Sequence, residues 1–190
     1  MIKTWPVAIV EHDHAQLRLL CHEGEFDQLL AELALHHLDV VLAGQAAPGN
    51  ANLRLTSERV TQSPVDWYGH ISLVRRAEAA EFPLSLDRLP VLLPTSHSAL
   101  RFSLDRWFES QALRPRIVGE FEDSALMAVF AASGLGVFPV SRLGASEVAL
   151  MRGLRLLGRC EDVSEEIHAI RSRRGQHHPL VTQMLAAVRT

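Results

Sequence analysis

Short apolar runs alternate along this chain with longer segments in which apolar residues recur at helical spacing. The runs are typical of buried strands and the longer segments of amphipathic helices, so the alternation predicts an α/β fold. The pattern is most regular between Leu89 and Val140. Its predicted elements are a strand at Leu89–Leu93, a helix with Leu100, Leu104, Trp107 and Phe108 on one face, a strand at Arg116–Phe121, an apolar helix and a strand at Leu135–Val140. This order predicts a small doubly wound β-α-β-α-β sheet.

The second helix of this predicted sheet is apolar on nearly every side. Asp123 or Ser124 can cap its start, because a short side-chain oxygen accepts a hydrogen bond from a free N–H group of the first turn. Gly134 then ends the helix. An all-apolar helix is typical of a buried position. We therefore expect this helix and the strand after it to lie inside the domain.

The two ends of the chain carry a second set of predicted elements. They are a short helix at Met1–Val10, a strand at Leu17–Cys21, a helix carrying Phe26, Leu29, Leu30 and Leu33, a strand at Leu38–Ala43, a crossing strand at Val65–Tyr68, short strands at Leu154–Leu157 and Glu166–Ile170, and a last helix that starts at Pro179 with Leu180, Met184, Leu185 and Val188 on one side. The chain is thus expected to enter a second lobe and return, and two such crossings would form a hinge.

Composition narrows the functional classes. Of the 190 residues 47% are hydrophobic, which is ample for a core, and the formal net charge is −3. That balance disfavours binding to the phosphate backbone of DNA. Cys21 and Cys160 are isolated and show no metal-binding or redox spacing, as is typical of reduced thiols. No signal peptide or membrane-spanning run is predicted, so we expect a cytoplasmic protein.

Three blocks of the sequence resemble one known family. They are LRLLCHEGEFDQLLAELALHHLDVVLAG from Leu17, RPRIVGEFEDSALM with the GLGVFPV that follows it, and EEIHAIRSRRGQHHPLV from Glu165. In this order they resemble the effector-binding domain of LysR-type transcriptional regulators. They are most similar to the branch of that family that regulates sodium/proton antiporters.

The resemblance implies two Rossmann-like lobes of the periplasmic-binding-protein type, joined by two crossover strands. Residues 1–64 and 164–190 would form lobe I, without its first strand, and residues 65–163 lobe II. We expect a truncated regulator, because the winged helix-turn-helix through which the family binds DNA is not found before Leu17. The family also implies a homodimer. Its contacts would involve the helix after Gly24 and its counterpart in the second lobe, at edges other than those of the core-facing Leu29, Leu33, Leu104 and Trp107.

Thr95, Ser96 and His97 directly follow a predicted strand, where open α/β sheets bind ligands. The hydroxyls of Thr95 and Ser96, together with the N–H groups of the next helix, can bind an anion. In the resembled family this loop faces the effector. The alternative is that Ser96 or Ser98 merely caps the helix.

Two further turns are candidate effector-binding segments. The turn after the next strand would face the same cleft with Glu122, Asp123 and Ser124. Its two carboxylates favour a cation or a hydroxyl-rich effector over an anion. The alternative is that Asp123 or Ser124 only caps the helix. Gly24 would permit a backbone shape that other residues resist. Glu25 would contact the ligand or stabilise the first turn of its helix.

No catalytic residue, metal site or cofactor is predicted. The histidine pairs lack the spacing of zinc ligands, and Gly-x-Ser-x-Gly is absent. The sequence therefore predicts an effector-sensing domain that binds a small molecule or ion in the cleft between the lobes. The alternatives are a free-standing small-molecule-binding protein of the same architecture and, more distantly, a small α/β enzyme.

Overall fold

The computed structural model of the chain describes residues 20–49, 54–173 and 179–188. The chain divides into two compact units. The central unit is Ser63–Glu165, and the terminal unit draws its described residues from Ile2–Gln62 and Glu166–Thr190. Two long strands contribute residues to both units, as the crossover prediction requires. The predicted helix at Met1–Val10 lies outside the described residues.

The elements follow one another in an alternating α/β order. They are α1 (Phe26–Ala34), β1 (Val41–Ala43), β2 (Leu55–His70), α2 (Arg76–Ala80), a 3-10 turn (Leu84–Asp87), β3 (Pro90–Pro94), α3 (Ala99–Ser110), β4 (Arg116–Phe121), α4 (Ser124–Ala132), β5 (Phe138–Ser141), a 3-10 turn (Arg142–Gly144), α5 (Ala145–Leu150), β6 (Leu154–Ser172) and α6 (Pro179–Val188).

The central unit contains the predicted β-α-β-α-β arrangement. β3 and β4 pair in parallel, from Pro90 opposite Arg116 to Pro94 opposite Phe121. On the other side of β3, a parallel bridge joins Val91 to Val137, just before β5. β3 is therefore the middle strand of three, and its buried residues run without interruption from Val91 to Leu93, as expected for a strand covered on both faces.

Aromatic packing holds α3 against this sheet. Leu104, Trp107 and Phe108 are buried on the face that the spacing predicts. Trp107 stacks on Trp67 of β2 with ring centroids 6.4 Å apart, and it also stacks on Phe82 at 6.2 Å. Large aromatic side chains bury more apolar area than any others, so this cluster anchors the unit.

The prediction that α4, as a helix apolar on nearly every side, lies inside the domain is wrong. Only Met127, Ala128 and Ala131 are buried, whereas Leu126, Val129 and Phe130 are 49%, 57% and 42% exposed. The sheet covers one face of the helix, and Phe130, although 42% exposed, still packs on Phe121 of β4 with ring centroids 5.3 Å apart. The predicted end is confirmed, since Gly134 follows the helix with φ +88 and donates its N–H to the Ala131 carbonyl.

The prediction of two short strands near the C-terminus is also wrong, because Leu154–Ser172 forms the single strand β6. The polar segment around Glu161 interrupts the apolar pattern of the strand, so the sequence predicted two strands where there is one. This segment is in fact tied to the fold, because Arg142 pairs with Glu161 at 2.5 Å and with Asp66 at 3.0 Å. Asp66 is 4% exposed, and a buried carboxylate requires such a partner.

The terminal unit has its own small core. Leu30 and Leu33 of α1 pack with Val41 of β1 and Ile170 of β6, and β1 pairs antiparallel with β6. The strand expected at Leu17–Cys21 is not seen at Leu20 and Cys21, which have no regular structure; its first residues lie outside the described part. In α6 the buried positions are Val181 and Leu185, whereas Leu180 is 41% exposed.

Candidate functional site at the carboxyl edge of β3 and β4

Two loops meet where β3 and β4 end. Residues 95–98 connect β3 to α3, and Glu122 and Asp123 connect β4 to α4. The Thr95 N–H donates a hydrogen bond to the Phe121 carbonyl at 3.1 Å, which continues the parallel pairing by one residue. The prediction that these loops follow neighbouring strands at one edge of the sheet is confirmed. Their role in binding stays a prediction.

The loop after β3 carries hydroxyls that make no hydrogen bond within the described residues. Ser96 and His97 are exposed, and Thr95 and Ser98 are half-buried. Ser98 has the extended backbone of a helix N-cap, yet its side chain accepts no hydrogen bond from α3. The capping alternative is therefore wrong for Ser98. Within the described residues, Thr95, Ser96 and Ser98 have no side-chain hydrogen bond, which leaves their hydroxyls able to bind a ligand.

The loop after β4 is arranged differently. Asp123 Oδ1 accepts hydrogen bonds from Ala125 N–H at 2.7 Å and Leu126 N–H at 3.3 Å. Capping by Asp123 is thereby confirmed, and this carboxylate is already occupied by α4. Glu122 and Ser124 are exposed at its sides. Of the three predicted residues in this turn, these two are the ones whose side chains form no hydrogen bond within the described part of the chain.

Arg101 also lies at this edge of the sheet, and it was not predicted from the sequence. Arg101, in the first turn of α3, is only 12% exposed in its side chain. Its Nε donates to both carboxylate oxygens of Asp105, at 2.9 and 3.0 Å, and its Nη1 donates to the Pro94 carbonyl at 3.0 Å and to Glu120. Burial alone would lower the pKa of Arg101, but the hydrogen bonds that it donates to Glu120 and Asp105 outweigh burial and raise the pKa. The guanidinium is therefore a permanent cation.

Charge at this edge is predominantly negative. Glu120, Glu122 and Asp123 lie on or just after β4, and Asp105 is the second partner of Arg101. The Arg101 guanidinium pairs with two of these four carboxylates, Asp105 and Glu120. The remaining negative charge disfavours an anionic effector unless it displaces a carboxylate. A neutral, hydroxyl-rich molecule or a cation suits the edge better.

Gly24 and Glu25 belong to the terminal unit, immediately before α1. Both are exposed, and the Glu25 side chain does not cap the helix; its carbonyl accepts the Leu29 N–H at 2.9 Å. The expected special backbone at Gly24 is wrong, because its φ lies outside the left-handed range and a Cβ there would meet Leu29 at an ordinary 3.6 Å. A ligand role for either residue stays a prediction.

Neither a metal centre nor a membrane-spanning helix is found among the described residues. No group of three or more His, Cys, Asp or Glu side chains in that part of the chain is placed to hold a metal ion. Among the same residues no helix combines the length and the apolar character needed to cross a membrane.

Sequence comparisons connect the chain to transcriptional regulators. Residues 7–190 match the family described as the LysR substrate binding domain. The chain is 32% identical over 177 residues to the transcriptional activator protein NhaR of Escherichia coli (strain K12), an alignment that covers 93% of this chain and 57% of NhaR. The chain thus spans little more than half the length of this relative.

Structural comparisons give the same architecture. The cofactor-binding domain of the Cbl transcriptional regulator superposes with a TM-score of 0.77 at 17% identity, covering 97% of this chain and 79% of that one. The reduced regulatory domain of OxyR2 from Vibrio vulnificus gives 0.73 at 18% identity, covering 99% and 88%. These likenesses confirm the predicted α/β fold class of the periplasmic-binding-protein type.

Proposed function

Because the chain belongs to the LysR substrate-binding domain family and is an effector-sensing regulatory domain, we propose that its effector binds at the carboxyl edge of β3 and β4. Thr95, Ser96 and His97 would contact the effector from one loop, and Glu122 and Ser124 from the other. Asp123 would act through its helix cap, which fixes the second loop. Binding is not coupled to any catalysed reaction.

The observation that carries this proposal is the set of unused hydroxyls beside β4. Polar groups that make no bond within the protein can bind a ligand without breaking existing structure, and a few such groups are enough to orient a small molecule. The excess of carboxylates favours a neutral polyhydroxyl compound or a cation as the effector.

An alanine double variant tests the assignment. The 15N-labelled chain would be titrated with a polyol, an amino acid, a dicarboxylate and the chlorides of lithium, sodium and potassium, and amide shifts would be followed by NMR. We expect saturable shifts at Thr95, Ser96 and Ser124, and their loss in the T95A/S96A variant. Since neither hydroxyl is bonded within the described protein, the variant should keep native thermal stability.

Ser146→Ala supplies the matched control, because Ser146 is also exposed in the central unit but lies on α5. It should bind every probe as the native chain does. Native affinity in T95A/S96A, or saturable shifts confined to residues outside the two loops, would rule out the site while leaving the family assignment intact.

We propose that effector binding to this domain controls how the whole regulator contacts DNA. Effector binding would favour one conformation of the domain over another and so alter how a DNA-reading segment of the full regulator is presented. DNA contact would come from that segment, since this chain has a net charge of −3. The site of action would then be the cytoplasm.

We also propose that two copies of the chain form a homodimer through the outer face of α4, defined by Leu126, Val129 and Phe130. Three large apolar side chains that are 42–57% exposed on one helix form a contiguous surface of the kind that marks protein contacts. The sequence-based prediction, in which the helix after Gly24 and its counterpart in the second lobe pair through edges other than their core-facing residues, stays the alternative.

A further inference from the structure

Arg101 stands where helix energetics disfavour it. A positive side chain in the first turn meets the positive end of the helix dipole. Its partner on α3, Asp105, lies four residues later, which is the weaker order for an ion pair on a helix. Neither rule explains a guanidinium that is 12% exposed at this position. The reason must lie in what Arg101 contacts outside its own helix.

Those contacts join the ends of two strands. Nη1 donates to the carbonyl of Pro94, the last residue of β3, and to the carboxylate of Glu120, the residue before the last in β4. Nε is held by both oxygens of Asp105. Beyond this point, among the described residues, one backbone hydrogen bond from the Thr95 N–H to the Phe121 carbonyl joins the first loop to the last residue of β4. Arg101 therefore lies directly beneath the hydroxyl-bearing loop.

We propose that Arg101 is a positioning residue that locks the Thr95–Ser98 loop onto β4 and does not itself bind the effector. The inference rests on the proposed function of that loop. The two flanking carboxylates neutralise the guanidinium and leave a net negative charge around it, so an incoming anion gains little. A rigid base under the loop would give the Thr95 and Ser96 hydroxyls one fixed geometry, which reduces the entropy lost on binding.

Amide hydrogen exchange tests the positioning role without any effector. In Arg101→Gln the Thr95 N–H should exchange roughly tenfold faster than in the native chain, because charge-assisted bonds that hold the loop are lost. The Leu92 N–H, which donates to the Val137 carbonyl at 2.8 Å in the same sheet, should be unchanged. Equal acceleration at both amides would show a general loss of stability and overturn the proposal, as would native exchange at Thr95.

Two further variants separate position from charge and packing. Arg88→Gln removes the same charge from an ion pair with Glu81 that is 60% and 54% exposed, and it should leave Thr95 exchange unchanged. Arg101→Lys keeps the charge and can reach one acceptor, so it should restore part of the protection. If lysine restores none, or if Arg88→Gln accelerates Thr95 equally, the bonds of Arg101 are not the cause.

Inorganic sulfate tests the claim that Arg101 is no ligand-binding cation. Titrated at constant ionic strength, sulfate should cause no saturable shift at the Arg101 Nε–H or the Thr95 N–H. Saturable sulfate binding there would overturn the proposal and make Arg101 a direct anion ligand. Neither measurement uses the effector, so they can fail while the T95A/S96A test succeeds, and the two proposals are judged separately.

Discussion

Helices α3 and α4 start from the same edge of the same sheet and are built in opposite ways. α4 begins with a capping carboxylate, because Asp123 accepts two N–H bonds. α3 begins at Ser98 without a side-chain cap, and the Arg101 guanidinium ties its first turn to the strands instead. One loop is thus fixed by its own side chain, while the other is fixed from beneath and keeps its hydroxyls free.

The two helices also differ in how they use apolar residues. α3 concentrates its apolar residues on one face and buries Leu104, Trp107 and Phe108. α4 is apolar all round, but it buries only small or flexible side chains and exposes large ones. Within one βαβαβ layer, α3 buries its large apolar side chains, whereas α4 buries three residues and exposes its large ones. The comparison shows that the apolar content of a helix does not measure its burial.

The largest effect should come from the core face of α3. Trp107→Ala removes a 6% exposed side chain that contacts three other aromatic rings. The free energy of unfolding should fall by about 3–5 kcal/mol, as for other buried aromatic truncations. Urea denaturation followed by circular dichroism measures it. Phe102→Ala, on the outer face of the same helix and 67% exposed, should stay within about 0.5 kcal/mol of native.

Similar losses of unfolding free energy for Trp107→Ala and Phe102→Ala would mean that the outer face of α3 is covered as well. The contrast in burial between α3 and α4 would then disappear. A small loss for Trp107→Ala would instead show that the aromatic cluster repacks, since cavity costs depend on how far a site can collapse.

A smaller effect should separate the two helix starts. Asp123→Ala removes two accepted hydrogen bonds and should cost about 0.5–2 kcal/mol of unfolding free energy. Ser98→Ala removes no cap bond and should cost less than about 0.5 kcal/mol. The same denaturation measurement compares them. Equal costs would show that Ser98 caps α3 in solution, and its hydroxyl would no longer be free for a ligand.

Much of the central unit could be predicted from the sequence because its signals are local. The apolar run at Leu89–Leu93, the helical spacing of Leu104 and Trp107, and the glycine after α4 each act within a few residues. The length of β6 could not be predicted. Its middle is polar, and the strand depends on pairing with β1 and β2, which lie far from it in the sequence.

The candidate site was only partly predictable for the same reason. That two loops share an edge follows from parallel strand order, so Thr95 and Glu122 could be brought together in advance. The role of Arg101 could not, since its contacts with Pro94 and Glu120 depend on the register of β3 against β4. Nor could the missing cap at Ser98, because serine before a helix normally predicts one.

The smallest effect on stability, and the largest on assembly, should come from the outer face of α4. Val129→Asp changes a side chain that is 57% exposed, so unfolding of the single chain should change by no more than about 0.5 kcal/mol. In the proposed homodimer the same change places two carboxylates in an apolar contact, where unpaired charge is costly. Sedimentation velocity over a concentration series should therefore show a dimer for the native chain and a monomer for the variant. Phe102→Asp, at a position that is 67% exposed but lies on α3, should leave the dimer intact. If that variant dissociates instead, or if Val129→Asp still pairs, the contact lies elsewhere and the contrast between the two helices has no role in assembly.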